Sequence, residues 1–269
     1  MTMDNKIRNS ERIIMGCIEK VDKLPLIINF SGGKDSQCVL ALVRELTDNF
    51  VCFYMSSGIE FPEAIDFVRK TCRELGVKLI ISYPSDYKGD FFQRLAHFHD
   101  LGRGTGFPWT RATWCSRDLK LRPQRNVLRR LYGRNMMFKL VAVRRHESKR
   151  REKIYKSNIC IVRDPEQKEA YMVYPILDWT DDDVKVYLKQ KSIIVPPNPL
   201  YEKYGVSGCY WCPFYQASIY RKILRCHPNL YDRWIEWERR LGKPCVNGQI
   251  FMSDLKREIV ELINERKVY

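Results

Sequence analysis

No run of apolar residues in this sequence approaches the roughly 20 that a membrane span requires. The opening stretch MTMDNKIRNSERIIMGCIEK lacks the apolar core of a secretory signal. No internal repeat, low-complexity tract or clear linker interrupts the chain. These absences leave no transmembrane helix and no repeat architecture to expect, and the expected setting is the cytoplasm. An oxidising compartment is also missing from this reading, so the ten cysteines read as thiols or metal ligands and not as disulfides.

What is present suffices for a full core. At 269 residues and 45% hydrophobic content, one large domain with a small appendage is the expected organisation. Cys17, Cys38, Cys52, Cys72 and Cys160 sit among aliphatic residues in periodic segments, where a thiol behaves as a small buried hydrophobe. Cys115, Cys209, Cys212, Cys226 and Cys245 call for another explanation. The net charge of +15 is uneven, with twelve Lys or Arg against two Glu between Arg122 and Lys153. Such a cluster either attracts a polyanion or forms a solvated basic helix face, and charge alone does not choose.

Ile13, Ile14, Cys17, Ile18 and Val21 recur at helical spacing over 11–22, and Pro25 then leads into the buried-strand pattern LIINF. DSQCVLALVREL reads as a helix, FVCFYMS as a strand, and PEAIDFVRKTCRELG as a helix entered by Pro62 and stopped by Gly76. VKLIISYP and MMFKLVAVRR add strands, and NICIVRD and AYMVYPI follow. Thr180 then caps a helix with acids in its first turn. Alternation at this spacing predicts an α/β fold with right-handed crossovers on a parallel sheet. Residues 82–134 read as a long loop centred on DLGRGTGFPWTRATWC, and a loop of that length is usually functional.

The stretch INFSGGKDSQC turns from the first strand into a helix through a glycine pair. Such a turn points backbone N–H groups and the positive helix end at one place, which suits a phosphate. Ser31 and Ser36 add hydroxyls, Lys34 adds charge, and Gly32 and Gly33 allow close approach. The spacing is neither the Walker GxxxxGK[ST] nor the dinucleotide GxGxxG. Ser-Gly-Gly-Lys-Asp-Ser instead resembles the pyrophosphate-binding loop of the adenine nucleotide alpha hydrolase superfamily, and it stands where that superfamily puts it. The resemblance implies a doubly wound parallel five-stranded sheet with a helical C-terminal extension. It further implies ATP with Mg²⁺ as ligand, cleavage between the α and β phosphates, and Lys34 and Asp35 as the catalytic pair. Asp35 either caps the helix or helps to hold Mg²⁺.

Further motifs narrow the family. SSGIEFPEAIDFVRK resembles the segment after the second strand in the phosphoadenosine phosphosulfate reductase family, which adds Ser57 and Gly58 to the expected nucleotide site. AVRRHESKRR resembles that family's Gly-x-Arg-x-x-x-Ser-x-x-Arg anion motif, with Ala142 replacing the glycine and Arg144, Ser148 and Arg151 matching. The planar donor fork of arginine matches phosphate or sulfate oxygens in a way lysine does not. YPILDWTDDDVKVYL and NPLYEKYGVSGCYWC resemble the family's downstream helix and its approach to a Cys-x-x-Cys, so the resemblance runs from about Pro25 to Pro213. The division it implies is 1–205 for the nucleotide domain and 206–269 for the Cys-x-x-Cys segment and terminal helices.

The sequence also departs from that family. Its sulfite-forming reductases use a cysteine in a Glu-Cys-Gly-Leu-His segment, which does not occur here, and Cys245 in GKPCVNG reads as a plain loop cysteine. Iron–sulfur members carry a Cys-Cys pair and a distant Cys-x-x-Cys; here the sites read Trp114-Cys115-Ser116 and Cys209-Tyr210-Trp211-Cys212. On that resemblance Cys115, Cys209 and Cys212 hold a 4Fe–4S cluster with one iron open, as in some nucleic-acid thiolation enzymes sharing the loop. Ser116 or a substrate would take the open corner. A zinc ion, which normally wants a fourth ligand, and no metal at all are the alternatives. Ten helical residues would carry Cys226 roughly 15 Å from the pair, which leaves it out of the set. His97 and His99 read as surface or hydrogen-bonded groups. Trp109, Trp114 and Trp211 flank the functional loops as candidates for stacking on bases, and Trp234 and Trp237 read as core.

The function this implies is iron–sulfur-dependent sulfur transfer to an adenylated acceptor, with the basic 122–153 region contacting a nucleic acid. An adenylyl-sulfate reductase using an external thiol is one alternative, and a nucleotide-binding module with a structural zinc is another. The expected partners are an adenine nucleotide, a nucleic acid such as tRNA or DNA or a sulfur-donor protein, and a second copy of the chain in a homodimer.

Overall fold

The computed structural model describes residues 2–20, 24–102, 106–110, 112–133, 136–164, 167–191 and 194–265. Among them the strands are β1 Leu26–Asn29, β2 Val51–Met55, β3 Leu79–Ser82, β4 Met137–Leu140, β5 Ile159–Asp164 and β6 Gln167–Val173. The helices are α1 Met3–Ile18, α2 Lys34–Leu46, α3 Pro62–Glu74, α4 Phe91–Asp100, α5 Arg122–Tyr132, α6 Lys149–Ile154, α7 Asp181–Gln190, α8 Leu200–Tyr204, α9 Ala217–Cys226, α10 Asp232–Leu241 and α11 Met252–Glu265. The chain forms two compact units: residues 1–55, 62–82 and 124–199 make the first, and 56–61, 83–123 and 200–269 the second.

The first unit is built on one sheet of order β3-β2-β1-β4-β6-β5. Five strands run parallel, as the helix and strand alternation requires, and β5 pairs antiparallel with β6 at the edge. The short connection between Asp164 and Gln167 dictates that sixth strand, because a parallel crossover needs a dozen residues or more. Alternation along β1 loads both faces. Leu26 and Ile28 join a core with Cys17 of α1, Leu40 of α2, Val68 of α3 and Tyr187 of α7. Ile27, one residue out of phase, packs with Phe53, Ile80 and with Val127 and Leu128 of α5. Helices therefore cover both faces, giving the doubly wound α/β fold.

Two local expectations need correction. The first helix starts at Met3 and ends at Ile18, earlier than 11–22, because Thr2 accepts a hydrogen bond from the Asn5 amide and caps it. Val21 lies outside the described residues. Residues 82–134 are not one loop: α4 opens with a reciprocal Asp90–Gln93 capping box, and a π-helical stretch covers Ser116–Leu121. The buried face of Phe91, Phe92 and Leu95 is what makes α4 form. Cys17, Cys38, Cys52 and Cys72 are buried as expected of small hydrophobes, and burial pushes the Cys17 thiol up to about 11. The side chain of Cys160 lies outside the described set.

The second unit has an aromatic core. Trp211 stacks on Trp234 at 4.4 Å, Phe91 packs against Trp114, Trp211 and Trp234, and Phe61 stacks on Tyr204 at 4.5 Å. An ion pair of Arg94 and Asp118, both buried, spans 2.8 Å within it. The buried carboxylate of Glu238 accepts from the amides of Cys245 and Met252, each at 2.8 Å, and fastens the 245–252 segment to α10. Among the described residues no helix is long and apolar enough to cross a membrane.

Candidate nucleotide and cysteine sites

In the first unit the strand order reverses at β1 and β4: the chain runs from β1 outward to β2 and β3, then returns beside β1 as β4. The crevice at the carboxyl ends of such a pair is where open α/β sheets bind ligands. The Ser31–Ser36 loop follows β1, and Arg144 follows β4. Gly32 has φ +73°, and a Cβ there would meet Val68 Cγ2 at 3.0 Å. Gly33 is the N-cap of α2 and brings no side-chain acceptor to the first-turn amides, which leaves the positive helix end to an incoming anion. Ser36 Oγ donates to the Gly33 carbonyl at 2.8 Å and lies 3.2 Å from the Ser31 amide, so this hydroxyl closes the loop on itself. Asn198 Nδ2 donates to the Gly32 carbonyl at 2.8 Å, and Gln37 Nε2 to the Pro196 carbonyl at 2.6 Å.

Two cations converge beside this loop. Arg144, 4% exposed, donates through Nε to Asp35 Oδ1 at 2.9 Å and through Nη2 to Asp181 Oδ1 at 3.2 Å. Lys34 Nζ donates to Asp181 at 2.6 Å and to Asp35 at 3.2 Å. Burial alone would lower the Lys34 pKa, but the Asp181 and Asp35 carboxylates outweigh it and raise it. Lys34 and Lys185 hold the Asp181 carboxyl well below the usual carboxylate range. The quartet sets two basic side chains against two acidic ones. Asp181 and Asn198 were not singled out from sequence: the acids after Thr180 read as helix caps, and VPPNP read as a break.

The remaining nucleotide candidates have local hydrogen-bond partners of their own. Ser148 is the N-cap of α6, accepting from the Arg151 amide at 3.2 Å, and Arg151 pairs with Glu147. The basic 122–153 stretch is not one surface: Lys139 and Arg144 are buried, and Arg145 pairs with Asp178 at 2.8 Å. Ser57 and Gly58 belong to the second unit, where Glu60 accepts from both of their amides and from the Ser56 hydroxyl. Gly58 at φ +75° supplies the left-handed turn.

Cys115, Cys209 and Cys212 all fall in the second unit and are half-buried, whereas Cys226, at the end of α9, is exposed. Burial pushes Cys115 up to about 12, with the charges of Cys209 and Cys212 adding to it, and burial pushes Cys212 up to about 11. Lys120 Nζ lies 3.4 Å from Cys209 Sγ, and Ser57 Oγ lies 3.2 Å from the same sulfur. Three tyrosine hydroxyls brace the Cys-x-x-Cys backbone: Tyr215 donates to the Cys209 carbonyl at 3.0 Å, Tyr231 to the Tyr210 carbonyl and Tyr220 to the Cys212 carbonyl, each at 2.6 Å. Cys209 also bridges Glu60 in antiparallel fashion. Among the described residues no group of three His, Cys, Asp or Glu side chains converges as the ligands of a single ion do. A 4Fe–4S cluster takes each thiolate on a different iron, so the soft donor set and its lysine counter-charge fit a cluster.

Cys245 is buried, and burial raises its thiol well above the ordinary value, which suits a structural residue. His97 and His99 are exposed on α4. Trp114 and Trp211 are buried in the aromatic core, and Trp109 is half exposed. Trp234 and Trp237 are buried.

Comparison with known proteins gives the family and the fold. A family model of the phosphoadenosine phosphosulfate reductase domain matches residues 25–215. Two uncharacterized proteins of Methanocaldococcus jannaschii are similar in sequence. One is 28% identical over 220 residues, 80% of this chain and 47% of its own length; the other is 29% identical over 235 residues, 86% and 45% respectively. The chain thus spans about half the length of these curated relatives. Among solved structures, phosphoadenylyl-sulfate reductase from Candida auris in its phosphate complex shares the fold, with a TM-score of 0.53 at 15% identity over 77% of this chain and 93% of that one.

Proposed function

The chain belongs to the phosphoadenosine phosphosulfate reductase domain family, and from that premise we propose that it binds ATP with Mg²⁺, adenylates an acceptor oxygen and replaces that oxygen with sulfur. The observation that carries this reading is the pairing of Lys34 and Arg144, from the ends of β1 and β4, with the same two carboxylates beside a glycine-rich helix start. A quartet of two cations and two anions suits a ligand that brings both signs. Phosphate oxygens would take over Lys34 and Arg144, and Asp35 and Asp181 would hold the Mg²⁺ that accompanies the nucleotide. The acceptor oxygen attacks the α-phosphorus, the bond to the β-phosphate breaks, and pyrophosphate leaves against the first turn of α2. A hydrosulfide ion then attacks the activated carbon and AMP leaves with the original oxygen. Acceptor, ATP and hydrosulfide thereby give thio-acceptor, AMP and pyrophosphate, with no change of oxidation state.

Cys115, Cys209 and Cys212 are the residues that would hold a 4Fe–4S cluster. With three protein thiolates, such a group supplies an iron at which an inorganic sulfur can bind. Lys120 and the three tyrosines hold Cys209 and Cys212 for that task. The test is iron and sulfide analysis after anaerobic purification. Cys115→Ala, Cys209→Ala and Cys212→Ala should each lose the iron, and Cys226→Ala should keep it. Ser116→Cys should retain iron and lower activity by filling the open corner. Zinc in place of iron, or iron lost as completely in Cys226→Ala as in Cys209→Ala, overturns the open-cluster reading.

A further inference from the structure

In the second unit a cavity of about 290 Å³ lies between the 106–114 segment and the 243–248 turn. Phe107, Trp109 and Trp114 line it from the first, and Lys243, Pro244 and Cys245 from the second. Trp109 is 50% exposed, while the five other tryptophans are at most 7% exposed. Among the described residues neither the Trp109 ring nor the Lys243 ammonium makes a hydrogen bond, ion pair or ring contact. Both are nonetheless carried on fastened backbone. Trp109 and Ala112 exchange hydrogen bonds in both directions, Ala112 N to Trp109 O at 2.9 Å and Trp109 N to Ala112 O at 3.4 Å. The Cys245 amide is tied to Glu238, and the Lys243 stem lies against Gly106.

A large apolar ring left half in water, with a cation on the same cavity that has no partner among the described residues, matches a ligand that is planar and aromatic at one end and anionic at the other. The cavity is at the small end of ligand pockets, which run roughly 300–1,000 Å³, so it takes one ring system and not a duplex. With a chain charge of +15 behind it, we propose that this cavity is a base-binding subsite for single-stranded nucleic acid, with Trp109 stacking on a base and Lys243 contacting its phosphate. The inference rests on the sulfur-transfer reading above and adds to it that the acceptor is a nucleic acid, naming the residues that would seize it.

The experiment uses the full chain and a fluorescein-labelled octauridylate, which has little structure of its own. The wild type should bind it. Trp109→Ala should weaken binding about tenfold or more, and Trp109→Phe should restore most of it. Lys243→Ala should reduce the slope of log affinity against log salt by about 0.7, one phosphate contact on a single strand. MgATP affinity should be unchanged in all three variants, which also reports that they fold. Octauridylate binding that is absent, or equal in wild type and Trp109→Ala, overturns the subsite, as does uridine monophosphate binding as tightly as the octamer. Trp109-dependent binding without pyrophosphate release from ATP keeps the subsite and removes the sulfur-transfer reading. Pyrophosphate release with tRNA that is indifferent to Trp109→Ala does the reverse.

Discussion

Gly32→Ala tests whether the loop after β1 must hold its shape. At φ +73° an L-residue other than glycine pays about 1–2 kcal/mol for the left-handed conformation. The new methyl would also lie 3.0 Å from Val68 Cγ2, 3.2 Å from Phe67 Cδ1 and 3.4 Å from Asn198 Nδ2. Val68 is fully buried in the core of the first unit, so it yields little, and overpacking of this kind costs about 1–3 kcal/mol. The sum, roughly 2–5 kcal/mol, is a large share of a typical domain stability. Urea denaturation and ATP titration read it together. If the loop stays in place, stability falls by that amount. If the loop moves to relieve the contact, stability falls less and ATP affinity falls instead, because the first-turn amides no longer converge. Gly33→Ala, at φ −74°, is free of the left-handed penalty and should cost less. A Gly32→Ala protein with unchanged stability and unchanged ATP affinity would refute the loop as described.

Lys34→Ala should weaken MgATP binding by roughly 1.5–3 kcal/mol, the worth of a charge-assisted contact, measured by calorimetry; equal affinity would remove Lys34 from the site. Tyr220→Phe strips the Cys212 carbonyl and amide of a buried partner and should lower stability by about 1–3 kcal/mol, with less iron retained per chain; normal stability and iron would show that the hydroxyl brace is dispensable. Asp118→Asn leaves the buried Arg94 uncompensated and should cost about 3–5 kcal/mol in denaturant unfolding. Burial opposes ionisation of Asp118, but Arg117 and Arg94 outweigh it and lower its pKa. A lowered folded value means that its stabilisation is present above the unfolded carboxylate pKa of about 3.9 and is lost as pH falls through the folded value. The wild type should therefore lose more stability between about pH 4 and 2 than Asp118→Asn does, and parallel acid profiles would contradict the assignment.

Much of this was legible in the sequence because it is local. The strand, glycine pair and helix start of 26–46 announce themselves in order, and Arg144 is reached through a motif. Asp181 was hidden because an acid in the first turn of a helix already has a sufficient local reason to be there, while its partner Lys34 lies 147 residues away. The tyrosine brace was hidden for a different reason: hydroxyls that bond backbone carbonyls leave no pattern in the residues they hold. The Gly, Pro and Thr content around 102–113 made the whole of 82–134 read as loop, although α4 and the π-helical stretch flank it. Grouping of 83–123 with 200–269 rests on aromatic packing over more than a hundred residues, such as Phe91 on Trp234, which periodicity does not report. The fate of Trp109, Trp114 and Trp211 was settled by the same packing: Trp114 and Trp211 are buried, and Trp109 is half exposed.

The central claim is that ATP is cut between its α and β phosphates to activate an oxygen for replacement by sulfur. Phosphorus NMR of ATP incubated anaerobically with the iron-loaded protein, Mg²⁺, sulfide and total tRNA reads it directly. The account predicts that AMP and pyrophosphate accumulate in equal amounts and that both require tRNA, with the Lys34→Ala protein slow. Accumulation of ADP and phosphate, or sulfite released from adenylyl sulfate under the same conditions while ATP stays intact, would contradict it.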